Sequence, residues 1–318
     1  MSKPSPALPG HTAIVNVMDT LVANFLKGKV RSVRLALIAL LTEGHVLLED
    51  LPGLGKTTLA LALARTLGLS FGRVQCTSDL LPTDITGLSV YRRDEQKFSF
   101  NPGPVFNNVL LVDEINRAMP KTQSALLESM EEMRVTVEGT TYPLPEPFLV
   151  IATQNPTEQV GTYPLPESQL DRFMVTTGIG YPSAEIERTI IREGSVRTRL
   201  EDIQPLVSAE QILLARATVR DGITLSDKVV DYIYAIVEAT RRHSMVQTGI
   251  STRGAIGIAL ASRAAAFMAG RDYVIPEDVK EMVAPVAAHR LILQAENEGL
   301  NKSEVLQSIV AAQPVPLA

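Results

Sequence analysis

A short apolar segment that ends in acidic residues, HVLLED at 45–50, is followed at once by Leu51-Pro52-Gly53-Leu54-Gly55-Lys56-Thr57-Thr58 and then by a helix-compatible stretch that runs to residue 67. A strand, a glycine-rich loop and a helix in direct succession form the repeating unit of an α/β sheet, which makes this the strongest constraint on the fold. Glycines let the loop backbone come close to phosphate oxygens, and the helix that follows points unpaired amides and the positive end of its dipole at them. Pro52 through Thr58 are therefore candidate phosphate-binding residues. Lys56 can bridge terminal phosphates, and the Thr57 hydroxyl can complete the oxygen shell of Mg²⁺.

The full Walker A pattern has glycine five positions before Gly55, where this chain has Asp50. A carboxylate pointing at bound phosphate would repel it. The expectation is that Asp50 points away from the loop or bonds neighbouring backbone.

The next motif is NNVLLVDE at 107–114, apolar without alternation until its carboxyl end, as expected of a parallel strand buried on both faces. Asp113 at the strand end can hold the Mg²⁺ water shell, and Glu114 can polarise the attacking water. An acidic pair at a strand end also serves as a helix cap or solvated turn, but paired with the glycine loop it specifies nucleoside-triphosphate hydrolysis. Asn155, after the apolar run FLVIATQ, can orient that water, sense the γ-phosphate or cap the strand end. Arg172 in LDRF and Arg253 in STRG can each form an ordinary ion pair or stabilise phosphate oxygens. One arginine from each half of the chain fits a site completed at an interface.

Further strands are expected at 73–76 and 147–155, and two inserts, 86–101 and 134–144, read as hairpins beside the nucleotide site. After Tyr181-Pro182 helical signals dominate: Leu225-Ser226-Asp227 precedes a periodic segment, Ser251 can cap the next helix and Pro276 lies in the first turn of another. The boundary is placed near residue 181, giving domains 1–181 and 182–318. That division suits 318 residues with 45% hydrophobic and 20% charged content. Thirty Lys plus Arg against 35 Asp plus Glu, a formal charge of −5, gives no reason to expect nucleic acid as the partner. The single cysteine, Cys76, excludes an intramolecular disulfide and reads as an inert strand thiol. LALIALL at 35–41 is far short of the roughly 20 residues a membrane span needs, and the first ten residues have no apolar signal core, so no transmembrane segment and a cytoplasmic location are expected. His289, Met130 and Met133 read as packing residues, and the Tyr163-Pro164-Leu165-Pro166 run as a stiff loop.

Nearly the whole chain resembles the MoxR family of AAA+ ATPases, through LEDLPGLGKTT, LLVDEINRA, KTQSALLESMEE, IATQNPTEQVGTYPLPESQLDRF and STRGA. The resemblance implies an α/β P-loop AAA+ module with a parallel sheet core, followed by a smaller all-helical lid, with ATP and Mg²⁺ as cofactors. It also implies that LEDLPG loops tolerate Asp50. By similarity Lys56 and Thr57 are the Walker A pair, Asp113 and Glu114 the Walker B pair, Asn155 sensor 1, Arg172 an arginine finger reaching the next subunit, and Arg253 sensor 2 in the lid. The insert at 86–101 resembles the helix 2 insert, and 134–144 the hairpin before sensor 1. Family members form hexameric rings and act with von Willebrand factor A domain partners on protein clients, in chaperone-like maturation or metal-cofactor insertion. A magnesium-chelatase-like motor subunit is the alternative, as is a nucleic-acid-directed AAA+ motor, although RRDEQK in the first insert carries only a weak positive excess.

Overall fold

The computed structural model describes residues 8–94, 96–156, 160–194, 200 and 203–316. Five parallel strands form its central sheet: β1 (Val46–Glu49), β2 (Phe71–Gln75), β5 (Val109–Asp113), β8 (Leu149–Gln154) and β9 (Val175–Thr177), in the spatial order β2-β5-β8-β1-β9. Both faces of this sheet are covered, which explains its continuous apolar strands. Val109 and Leu111 of β5, Leu149 and Ile151 of β8, and Val46 and Leu48 of β1 turn into one core. Leu110 and Val112, Val150 and Ala152, and Leu47 turn into the other.

The first core is filled by α1 (His11–Asn24), α2 (Val30–Leu41) and α3 (Lys56–Thr66). The second is covered by α4 (Pro82–Thr86) and α5 (Pro120–Glu132). Both inserts are antiparallel hairpins. β3 (Gly87–Arg92) pairs with β4 (Lys97–Pro102), and β6 (Arg134–Val137) with β7 (Thr140–Pro143). Glu138 and Gly139, both at positive φ (50° and 81°), make the tight turn of the second. Phe100 of β4 stacks on Tyr142 of β7 at 4.1 Å and 16°, joining the two hairpins side to side.

A short helix α6 (Glu167–Leu170) precedes β9, and the remainder is mainly helical: α7 (Ala184–Glu193), α8 (Ala209–Ala217), α9 (Asp227–Arg242), α10 (Thr252–Met268), α11 (Pro276–Ala287) and α12 (Lys302–Ala311). Ser251 caps α10 by accepting from the Gly254 amide at 3.1 Å, and Pro276 opens α11. One small ribbon, β10 (Val246–Thr248) with β11 (Ile292–Leu293), is added to the helices. The Ala-rich α10 and α11 share the core formed by α1, α2 and α3, so apolar packing runs unbroken from the sheet into the carboxyl-terminal helices. Among the described residues no helix is long and apolar enough to cross a membrane.

Candidate active site

The loop between β1 and α3 stays open because its glycines occupy the left-handed region: Gly53 has φ 85° and Gly55 φ 99°. Nothing lies within 4 Å of where a Cβ would project at either position, so it is the backbone conformation that requires glycine there. The loop and the amino end of α3 border a cleft of about 570 Å³ along the carboxyl edge of the sheet, lined by Pro52, Gly53, Gly55, Lys56, Thr57 and Thr58. Across from them stand Asp113, Glu114, Thr153 and Asn155 from the ends of β5 and β8. Leu54 lies in the same loop outside the cleft lining.

Asp50 turns its carboxylate away from this cleft. Oδ2 accepts from the Ile179 and Gly180 amides at 2.5 and 2.7 Å, and Oδ1 from the Leu51 amide at 3.1 Å. The expectation that it would bond backbone is met, and the bond crosses to the segment leaving β9. Its carbonyl oxygen meanwhile accepts from Lys56 Nζ at 2.5 Å. Burial draws the Lys56 pKa down, and the charges of Asp50, Asp113 and Glu114 oppose that shift.

Four residues not singled out in the sequence complete the cleft, Arg73, Gln75, Arg117 and Thr153. Arg73, projecting from β2 beside β5, pairs with Asp113 (Nε to Oδ2, 2.8 Å). Arg117 pairs with Glu114 (Nε to Oε2, 2.8 Å) from one turn further on. Thr153 accepts from the Glu114 amide at 2.9 Å and so fixes the end of β5 against β8. Glu114 itself sits at φ 56°, a conformation unusual for a residue with a Cβ. The alternation of β2, with Arg73 and Gln75 pairing beside Leu111 and Asp113, was the available signal for Arg73. Cys76, just past β2, is buried, and its thiol is pushed up to about 12 by burial, with Asp113 and Glu114 adding to the shift, as suits an inert residue.

Thr57 and Asp113 offer hard oxygen donors on opposite walls of a cleft that also holds a lysine and a helix amino terminus. That donor set fits Mg²⁺, which takes phosphate and water oxygens in preference to an all-protein cage.

The two predicted arginines lie together, but elsewhere. Arg172, following α6, pairs with Glu131 near the carboxyl end of α5 (Nη1 to Oε2, 2.6 Å) and donates from the same Nη1 to the Leu127 carbonyl at 2.8 Å. Arg253, in the first turn of α10, pairs with the other oxygen of the same carboxylate (Nη2 to Oε1, 2.9 Å) and approaches Asp171 at 3.8 Å. Asp171 is in turn held by the buried Arg290 at 2.6 Å. Neither Arg172 nor Arg253 lines the phosphate cleft; both line a separate hollow with Glu131, Asp171 and Arg290. Arg253, expected as a lid residue that senses phosphate, thus stands beside Arg172 and outside its own chain's cleft. The packing of α10 and α11 on α2 and β9 turns its side chain towards the end of α5.

Comparison with known proteins agrees with this architecture. Residues 45–175 match the ATPase family associated with various cellular activities (AAA), and residues 238–309 match the AAA lid domain. Chaperone MoxR1 of Mycobacterium tuberculosis is 44% identical over 281 residues, covering 86% of this chain and 74% of that one. Protein MoxR of Paracoccus denitrificans is 33% identical over 320 residues, covering 92% and 93%. The crystal structure of a Cytophaga hutchinsonii protein, assigned there as a candidate ATPase, superposes with a TM-score of 0.87 at 40% identity, covering 97% of this chain and 96% of the other. With its parallel sheet, its phosphate loop facing Asp113 and Glu114, and its helical lid, the chain belongs to the MoxR family of AAA+ ATPases.

Proposed function

We propose that the chain hydrolyses ATP at junctions between copies of itself in a ring, and that it uses the cycle to remodel protein clients. The observation that carries this reading is the absence of Arg172 and Arg253 from the lining of the chain's own cleft, although both are gathered on one carboxylate at another face. A guanidinium that stabilises the transferring phosphoryl group must touch it. From this face the two arginines serve a neighbour's cleft.

Within one cleft, the amides at the start of α3 and Lys56 bind the phosphate tail. Thr57 and Asp113 would hold Mg²⁺, which when bound would neutralise phosphate charge. Glu114, released from Arg117, takes a proton from the attacking water as oxygen bonds to the γ-phosphorus. The bond to the bridging oxygen breaks, ADP leaves with that electron pair, and Asn155 orients the water. The base is proposed to enter the second hollow, on the far side of Asp50, of about 720 Å³ and lined by Lys29, Ile179, Gly180, Pro285 and Lys302. A protein client, rather than nucleic acid, suits the β3–β4 hairpin, which exposes Leu88, Val90, Tyr91 and Phe98. The chaperone name of MoxR1 supports the same direction, and the family resemblance adds a von Willebrand factor A domain partner.

The test is Mg²⁺-dependent ATPase activity per subunit across a protein dilution series, with mass measured on the same samples and Glu114→Gln as the chemistry control. Specific activity should rise with assembly and vanish in Glu114→Gln. Constant activity through the monomer range would reject catalysis at junctions.

A further inference from the structure

We infer that Glu131 is a positioning residue that presents Arg172 and Arg253 as one unit to the neighbouring subunit's phosphate. The inference rests on the junction reading above and adds to it the group that sets the geometry of the pair.

Glu131 accepts from both arginines at once, one on each oxygen, at 2.6 and 2.9 Å. Its partners come from different parts of the fold: Arg172 from the loop between α6 and β9, Arg253 from the start of α10. Two guanidiniums at this separation repel, and the shared carboxylate leaves the trio with a single net positive charge. The other charged groups lining the same hollow are Glu43, Asp171 and Arg290; Asp171 and Arg290 pair with each other at 2.6 Å, and Asp171 also approaches Arg253 at 3.8 Å. The Arg290 side chain is 5% exposed and also donates to the Asp171 and Phe173 carbonyls, so it is a fixed strut. Arg172 and Arg253 retain 29% and 51% side-chain exposure, so they remain accessible to an incoming phosphate.

Helix stability does not account for Glu131. It lies in the last turn of α5, where the macrodipole disfavours an acid, and that turn holds no basic residue to offset it. Arg172 donates from the same Nη1 to Glu131 and to the Leu127 carbonyl, so the guanidinium is pinned to α5 by one corner and the rest of its donor fork is not spent on that helix. The opposite end of α5 is tied to the subunit's own cleft. The buried Gln123 donates to the Ile115 carbonyl, one residue beyond Glu114, at 3.2 Å and to the Tyr163 carbonyl at 2.9 Å. The arginines are thus held by a helix whose other end is bonded to the residue that follows Glu114.

The experiment uses full-length assembled protein. Glu131→Gln, which keeps the shape and removes the charge, should lower kcat at least tenfold while KM for ATP and ADP binding per subunit stay within twofold. Mixed with an equal amount of Glu114→Gln, it should recover activity, because Glu114→Gln subunits bring intact arginines to the live clefts of Glu131→Gln subunits. In a randomly mixed head-to-tail ring about half of those clefts meet a competent neighbour, so recovery to about half of wild-type activity per live cleft is expected. An Arg172→Ala plus Glu114→Gln mixture is the control. Failure of that control would overturn the junction reading itself. Recovery in the control without recovery in the Glu131→Gln mixture, or wild-type kcat in Glu131→Gln alone, would overturn the role of Glu131. Should Glu131→Gln not fold, Glu131→Asp, which keeps the charge but withdraws it by one methylene, must show the same loss and the same rescue.

Discussion

Asp50 stands where the general phosphate-loop pattern has glycine, and two opposite consequences follow from the two directions its carboxylate can take. In the structure Oδ2 accepts two backbone amides, from Ile179 and Gly180, and ties the start of the loop to the chain leaving β9. Hydrogen bonds to a charged group contribute about 1.5–3 kcal/mol each, and the lower end applies to this half-buried carboxylate, so Asp50→Ala should cost about 3 kcal/mol. For a chain of this size that corresponds to a fall of roughly 5 °C in apparent Tm. The chain has no tryptophan, so the melt is best followed by far-ultraviolet circular dichroism. Asp50→Asn should fall between the two, since its amide oxygen can still accept from Ile179 and Gly180 while its NH₂ group meets the Leu51 amide donor to donor. ADP affinity, by calorimetry, should weaken or stay the same in both variants. If the carboxylate faced the phosphates instead, removing a unit charge about 6–8 Å away would relieve roughly 2–3 kcal/mol at an effective dielectric near 20, tightening ADP about thirty- to a hundredfold. Tighter ADP binding with an unchanged melt would refute the reasoning.

Four further outcomes can be checked with the same protein. Gly55→Ala should leave the fold intact but cost about 1–2 kcal/mol to hold φ near 99°, weakening ADP about tenfold by calorimetry. Burial holds His45 down to about 4, and holds His289 down to about 3 with help from Arg290, so both are neutral when folded and take up protons on unfolding below about pH 6.5. Stability from these two is therefore complete above pH 6.5 and lost as pH falls towards 4, at up to about 1.4 kcal/mol per pH unit for each. Urea unfolding between pH 7.5 and 5 should show that slope, and His45→Asn should reduce it by about half. A double-mutant cycle on Phe100 and Tyr142 should give a coupling of about 0.5–1.5 kcal/mol in urea unfolding, and zero coupling would mean that the two hairpins are not joined through the stack. Arg117→Ala should leave ADP binding within a fewfold of wild type, because this arginine pairs with Glu114 and belongs to neither the loop nor α3; a loss of binding by calorimetry would mean that it grips phosphate directly.

What could be read from the sequence was what is determined locally. The phosphate loop, the acidic end of β5 and the strand ends meeting at one edge follow from a chain that passes from buried strand to glycine turn to helix, and each signal spans fewer than about ten residues. Even the direction of Asp50 was accessible, because phosphate repulsion excludes one orientation and nearby backbone offers the other. The position of Arg253 was not. STRG opens a capped helix whatever that helix packs against, and nothing local states that α10 and α11 lie on α2 and β9, turning Arg253 to the end of α5. Arg73 and Glu131 escaped for a related reason. An arginine on a strand and an acid in a helix of mixed charge carry no pattern of their own, and each gains meaning only from the residue across from it: Asp113 for the first, the two arginines for the second. The division has a physical origin. A phosphate loop is backbone shape, which a few consecutive residues set, whereas the Arg73–Asp113 and Glu131–Arg172–Arg253 groupings join charges on different elements, and their encounter is a property of the packed core.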